Sequence, residues 1–351
     1  MKIIWTLWAL LVFTANYAQD KAAADKWIGE GISLHDKGDY AGAIDKYNKA
    51  LEADRGNVLA GIEKAMSLNA AKRYEEAIAV SKAVLEEHSE GNFKTLYVTY
   101  ANALDHLNRT DEALLIYDRG IERFPDFYQL YFNKGIAYSN SKRYDEAVRC
   151  FQKSFLLNPN HGSSLNALGV LEMQTNRIAS ILAFSRFLIV EPQTSRSTKN
   201  LENIQASMMK GVTQTGKKTV NINIDAGVLR DSIDDKPKLA NDFSSTDLIL
   251  SMASALDFDK KNRKSSEVEK FIRKFEVICE SMEELQAGNL GFYWEVLSPY
   301  FIEMKNKEFI ETFGYIAFAN QEDEDVAQWH KKNKAKVAAF YDWSNRYTWP
   351  K

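Results

Sequence analysis

Tyr144-Asp145-Glu146-Ala147 decides the reading of this chain, because three earlier segments repeat it in phase: Tyr40-Ala41-Gly42-Ala43, Tyr74-Glu75-Glu76-Ala77 and Thr110-Asp111-Glu112-Ala113. The alanines that close them lie 34, 36 and 34 residues apart, and a fifth unit at Ile178 to Ile181 continues the step. A fixed period of this length marks a repeat architecture, in which one supersecondary unit recurs. Other positions keep the same phase. Gly31, Ala65, Ala101, Gly135 and Gly169 precede each anchor by twelve residues, where a missing side chain lets two helices approach closely. Tyr47, Ser81, Tyr117 and Phe151 follow the first four anchors by four residues. Pro125 and Pro159 then end a helix just before the next begins.

These marks resemble the tetratricopeptide repeat family over residues 24–193, about half of the 351-residue chain. The resemblance implies two antiparallel helices per unit and an all-α, right-handed helical-hairpin solenoid of about five repeats. The chain departs from the pattern in places. Only Trp27 carries the indole of the first helix, with Tyr97, Tyr131 and Leu165 in its place later, and the fifth unit has Ile181 where a small residue is usual. One repeat cannot bury its own apolar face, so a stack needs closed ends. Residues 195–210 put Leu201, Ile204 and Met208 on one helical face and end at Gly211, which predicts a capping helix.

In this family the inner surface comes mainly from the first helix of each unit. The resemblance places it at Asp25, Ile28, Ile32 and His35; Leu59, Ile62, Met66 and Asn69; Thr95, Val98, Asn102 and Asp105; Gln129, Phe132, Ile136 and Ser139; and Ser163, Asn166, Val170 and Met173. Members that grip a C-terminal carboxylate use lysine, asparagine and arginine at such positions, because a desolvated anion needs charge-assisted hydrogen bonds. No lysine or arginine stands there in this chain, which argues against a carboxylate clamp. The expected partner-binding groove is instead Ile28, Ile32, Ile62, Met66, Val98, Asn102, Phe132 and Ile136, suited to an amphipathic helix or an extended apolar peptide. Two alternatives stand beside it: the C-terminal half of the chain fills the groove, or helix curvature buries these positions.

Composition excludes other classes. With 45 basic and 48 acidic side chains the formal charge is -3, and the balance holds regionally: 24 and 24 over residues 21–210, 15 and 19 over residues 240–351. No basic domain is concealed, so nucleic acid is not an expected partner. The first eighteen residues read as a cleaved leader, with an uncleaved N-terminal anchor as the alternative: Lys2, an apolar run Ile3 to Phe13, and Ala18 before Gln19. The mature chain is then expected outside the cytoplasm, periplasmic or secreted, with no later segment apolar enough to span a membrane. Cys150 and Cys279 are the only thiols. An oxidising compartment permits a bridge, but two small buried residues are the preferred reading. His35, His88, His106, His161 and His330 show no metal-ligand spacing, and no metal or cofactor is expected.

Residues 211–239 form a linker in which Val220 to Asp225 alternates as one short strand with no partner in the sequence; it pairs with itself, adds to another protein's sheet edge or, as the preferred reading, lies extended across the solenoid. From 240 the pattern is helical without the period. Phe243 to Leu256 is one helix, Ser266 and Glu269 form a capping box that opens a second, Ser298-Pro299 opens a third, and a stripe of Phe309, Ile310, Phe313 and Ile316 marks another. A final helix is expected from about Asn320, started by Glu322 to Asp325. This domain holds 19 of the 42 aromatic residues in under a third of the length. No nucleophile elbow, phosphate loop or matched carboxylate pair points to catalysis. The reading is a non-catalytic scaffold or adaptor of the bacterial cell envelope that binds a protein or peptide. The alternatives are a structural subunit of an envelope or secretion assembly, with the groove filled by the chain's own C-terminal half, and an enzyme with its site in 240–351.

Overall fold

The computed structural model describes residues 20–88, 90–216, 219–223 and 239–350. The leader assigned to residues 1–18 lies outside them, as do Ile224, Asp225 and Pro237 of the linker. The fold is all-α apart from one small hairpin. It divides into two compact units between Ala147 and Val148, a boundary that falls inside a helix of the fourth repeat.

The first unit is built from helix pairs: α1 (Lys21–Asp36) with α2 (Tyr40–Ala53), α3 (Val58–Ala70) with α4 (Tyr74–Glu87), and α5 (Lys94–His106) with α6 (Thr110–Arg123), followed by α7 (Tyr128–Asn140). The period reappears in the turns within each pair. Gly38, Lys72, Asn108 and Lys142 all hold positive φ. The next amide reaches back over the turn, as in Arg73 N–H to the Leu68 carbonyl at 2.8 Å and Arg109 N–H to the Leu104 carbonyl at 2.9 Å. This is the left-handed residue that closes a helix C-terminus by returning a hydrogen bond to an otherwise orphaned carbonyl. The following helix starts equally regularly. Arg73 pairs with Glu76, Arg109 with Glu112 and Arg143 with Glu146, whereas in the first pair Asp39 accepts the Gly42 N–H at 2.9 Å.

First helices of successive pairs also pack on one another, α1 on α3, α3 on α5 and α5 on α7, so they share one continuous face. The small residues make the pairs fit. A Cβ added at Gly31 would lie 2.5 Å from the Tyr47 ring, and Ala65 and Ala101 are completely buried.

The second unit begins within α8 (Tyr144–Leu157) and contains the fifth pair, α9 (Gly162–Glu172) and α10 (Arg177–Val190), and then α11 (Ser195–Met209). Gly169 keeps its role here, since a Cβ would meet the Phe184 ring at 2.5 Å. α10 has no polar face: every residue from Arg177 to Ile189 is buried. Its sides are covered by α9, α11, α12 (Ser244–Ala255), α15 (Ile310–Ala317) and a π-helical turn at Tyr293–Leu297. α11 forms as the sequence predicts, with Leu201, Ile204 and Met208 buried, and α12 packs against it.

The remaining elements are α13 (Glu267–Leu285), α14 (Ser298–Asn306), α16 (Glu324–Lys332) and α17 (Lys334–Arg346). The capping box of Ser266 and Glu269 is present, and Val268, Phe271, Phe275, Ile278, Cys279 and Met282 are buried along α13. Phe271, Phe275, Phe301 and Phe313 form a ring cluster with centroids between 4.9 and 6.4 Å apart. Tyr300 is stacked against both Trp343, at 4.9 Å, and Trp349, at 5.0 Å. No disulfide joins Cys150, half-buried, to Cys279, fully buried.

Three sequence readings change. The strand at Val220 is not alone: Val220–Ile222 (β2) pairs antiparallel with Val212–Gln214 (β1), and the hairpin packs on α12 rather than lying extended. Three residues of alternation at 212–214 are too few to register against the end of a helix. The last segment is two helices, because Asn333 leaves helical geometry, with φ -113° and ψ 29°, while its side chain donates to the Trp329 carbonyl at 2.9 Å. Ser298-Pro299 does open α14, but the chain enters it through the π-helical turn without a break.

The two glycines of α1 give a direct check on this packing. Gly29 has nothing within 4 Å of an added Cβ, so Gly29→Ala should stabilise the protein by up to about 1 kcal/mol through helix propensity. Gly31→Leu should cost about 1–3 kcal/mol by overpacking against Tyr47. Chemical denaturation of the two variants measures both signs.

Candidate functional site

The shared face of α1, α3, α5 and α7 carries the residues singled out by sequence. Two of the eight belong to the core: Ile28 is 3% exposed and Ile62 8%. The other six stay within reach of solvent. Ile32, Met66, Val98, Asn102 and Phe132 are half-buried, and Ile136 is 37% exposed. Met66 and Val98 lean on the core cluster of the middle repeats and Ile32 on that of the first. The structure thus brings together an apolar row with one side chain from each first helix, and two from α7.

Polar groups interrupt the row at fixed places. Asn102 accepts a hydrogen bond from the Tyr117 hydroxyl, which ties the first helix of the third pair to its second. His35 Nδ1 lies 2.7 Å from Ser67 Oγ, linking α1 to α3. Asp105 accepts from Thr110 Oγ1 at 2.8 Å and Asn140 Nδ2 at 3.2 Å, linking α5 to α7. The His35 and Asp105 bonds tie α1 to α3 and α5 to α7, and among the described residues packing alone joins α3 to α5, so the apolar row is carried on one packed frame.

Glu63 sits beside this face. Burial raises its carboxyl pKa, Asp36 adds to the rise and His35 opposes it. Its neighbour Tyr47 is pushed up to about 12, by burial first and by the Glu63 charge second. Among the described residues, no group of histidine, cysteine and carboxylate side chains could hold a metal ion, and no helix is long and apolar enough to cross a membrane.

The second unit contributes features that the sequence reading did not single out. Arg177 donates to the Lys210 carbonyl at 2.8 Å and pairs with Asp247. Arg186, at the other end of α10, is held by Tyr300 Oη at 3.1 Å, Ser344 Oγ at 2.9 Å and Asn160 Oδ1 at 2.8 Å, with no carboxylate among them. Burial lowers its pKa. A cavity of about 370 Å³ lies between the end of α11, β1 and the start of α13, and Asp257, Arg263, Lys270 and Lys274 are in its walls. The signal for it in the sequence is the run Lys260-Lys261-Asn262-Arg263-Lys264.

Tetratricopeptide repeat family models match residues 9–58, 34–96, 68–134 and 128–161. Residues 9–161 are therefore tetratricopeptide repeats, a protein-interaction scaffold fold. The fifth pair, α9 and α10, lies beyond the last matched residue. A barley (Hordeum vulgare) protein, the probable UDP-N-acetylglucosamine–peptide N-acetylglucosaminyltransferase SPINDLY, is 24% identical over 159 residues, which are 43% of this chain but 16% of that protein. Among solved structures, PilF of Pseudomonas aeruginosa matches 54% of this chain and 90% of its own, at 18% identity and a TM-score of 0.43. A thermophilic repeat protein of Thermus thermophilus matches 53% of this chain and all of its own, at 15% identity and a TM-score of 0.44.

The sign of the Glu63 effect is testable. A carboxyl whose pKa is raised on folding supports the folded state while protonated, and that support is lost as pH rises through the folded value. Glu63→Gln should therefore raise Tm at pH 7. The gain should shrink as pH falls toward the ordinary glutamate range of about 4.3, and below that range the wild-type carboxyl becomes neutral in both states. Thermal unfolding of both proteins from pH 4 to 8 checks it.

Proposed function

We propose that this protein is a non-catalytic adaptor of the bacterial cell envelope that holds a protein partner on the first-helix face of its first unit. The observation that carries this reading is the row Ile32, Met66, Val98, Phe132 and Ile136, apolar side chains left within reach of solvent on a frame held by packing and hydrogen bonds between helices. Apolar side chains spaced along parallel helices suit an amphipathic helix or an extended apolar segment, and Met66 adapts to varied shapes. Lysine and arginine are missing from the lining positions, so the bound segment is recognised by its apolar side chains rather than by a terminal carboxylate. The leader-like residues 1–18 support export, and with it a periplasmic or secreted location.

A scaffold also fits the second unit better than an enzyme does. Its interior is filled by stacked aromatic rings, and the carboxylates in the wall of the cavity beside β1, Asp257 and Glu267, are each engaged by cations.

A photo-crosslinking residue placed at Ile136 in cells should capture one protein, and the same residue at exposed Leu115 on α6 should not. Met66→Asp should abolish that crosslink while the circular dichroism of the purified variant is unchanged. Equal capture from both positions, or capture indifferent to Met66→Asp, contradicts the assignment. Ile62→Asp serves as the opposite control: it buries a charge in the core and should cost about 3 kcal/mol or more of stability.

A further inference from the structure

The cavity beside the loop 259–265 is unlike the repeat face, because it is lined by charge. Two carboxylates are in its walls and neither is available. Asp257 is held by both Arg273 and Lys274, the latter at 2.8 Å, and Glu267 is held by Lys270 at 2.7 Å. Lys274 is 5% exposed. Its ammonium has three donors, and among the described residues its contact beyond Asp257 is the Met209 thioether at 3.5 Å, a weak acceptor. A buried ammonium with an unmatched donor is costly unless something in the cavity accepts from it.

Arg263 is also in the wall, exposed and without a carboxylate partner among the described residues. Lys260, Lys261 and Lys264 on the same loop are exposed and equally unpaired there. Residues 257–274 carry seven basic and four acidic side chains, in a chain whose net charge is -3. The loop is held in shape without any ligand. Asn262 Nδ2 donates to the Leu256 carbonyl at 3.0 Å, and the Arg263 amide donates to the Asp259 carbonyl at 2.9 Å.

We propose that this cavity binds a multiply charged oxyanion of the phosphate class, carried on an uncharged body. Arg263 supplies the planar fork that matches a tetrahedral oxyanion, and Lys274 supplies a desolvated point charge from inside. Phe258, Phe271 and Met209 give the same cavity an apolar wall for the body that carries the anion. A soluble phosphate ester and a phosphate-bearing lipid headgroup present the same group to these residues.

The full chain titrated with pyrophosphate in low-salt buffer, by calorimetry and by its Tm, tests the proposal. Pyrophosphate should bind and raise Tm, where chloride at equal ionic strength does neither. Arg263→Glu and Lys274→Met should each weaken binding by about tenfold or more, as expected for loss of one charge-assisted bond. Lys331→Glu, in the basic stretch at the end of α16, should leave it unchanged. Flotation with phosphatidylcholine vesicles, with and without phosphatidic acid, separates the sources. Retention by the phosphatidic acid vesicles that pyrophosphate competes away assigns a lipid headgroup, and pyrophosphate binding without retention assigns a soluble ester. Absence of binding in both arms overturns the proposal, as does binding that Arg263→Glu and Lys274→Met leave intact.

Discussion

A helix that is apolar around its whole circumference has to be covered on every side, and α10 imposes that condition on the second half of this protein. In the earlier pairs the second helix keeps a polar outer face: Asp45 and Lys49 on α2, Glu75 and Lys82 on α4, Asp118 and Arg119 on α6 are all exposed. α10 has only Arg177 and Arg186 as charged residues before its last turn, and both are buried. It therefore cannot end a solenoid. α12, α15 and the π-helical turn supply the missing cover, and the two arginines anchor it, Arg177 through Asp247 on α12 and Arg186 through Tyr300 on α14 and Ser344 on α17. A buried guanidinium with neutral partners is a demanding arrangement, since losing any one of them leaves a desolvated donor. The aromatic density of residues 240–351 has its explanation here: Tyr300, Trp343 and Trp349 stack into a wall, and Tyr300 and Trp349 present their rings to Arg186.

The first unit works under the opposite condition. Its second helices have polar outer faces, and its first helices share a face whose apolar side chains are half-covered rather than sealed. The same periodic devices serve both purposes. Small residues at Gly31, Ala65 and Ala101 bring paired helices close, positive-φ residues at Gly38, Lys72 and Asn108 close the turns, and bonds such as His35 to Ser67 keep neighbouring first helices aligned. Rigidity comes from repetition and leaves side chains such as Met66 and Ile136 within reach of solvent.

The repeat was legible in the sequence because its signals are local and recur. The alanine step recurs at 34 to 36 residues, the small helix-packing residues keep a fixed offset of twelve from it, and the capping box of Ser266 and Glu269 spans three positions. The inner-face positions were legible only to within one side of a helix. Ile28 and Ile62 read there like Ile32 and Met66, but four residues along a first helix is enough to move from the surface into the core. What could not be read were pairings over long separations. The partner of β2, the counter-ion of Arg177 seventy residues on and the cavity that joins Met209 to Lys274 all require the fold first. The character of α10 was in plain view, since Arg177-Ile178-Ala179-Ser180-Ile181-Leu182-Ala183-Phe184 has no polar stripe. Its consequence, that residues 148–350 close around it, follows from a helix with no face to spare.

Native-state hydrogen exchange of the full chain tests that claim most directly. If α10 is the core of one cooperative unit, its slowest amides and those of α13 and α15 share a single opening free energy, and they lose protection together as denaturant is added. If α10 instead opens separately from α13 and α15, with protection that survives after theirs is gone, the second unit is not organised around it and the account is wrong.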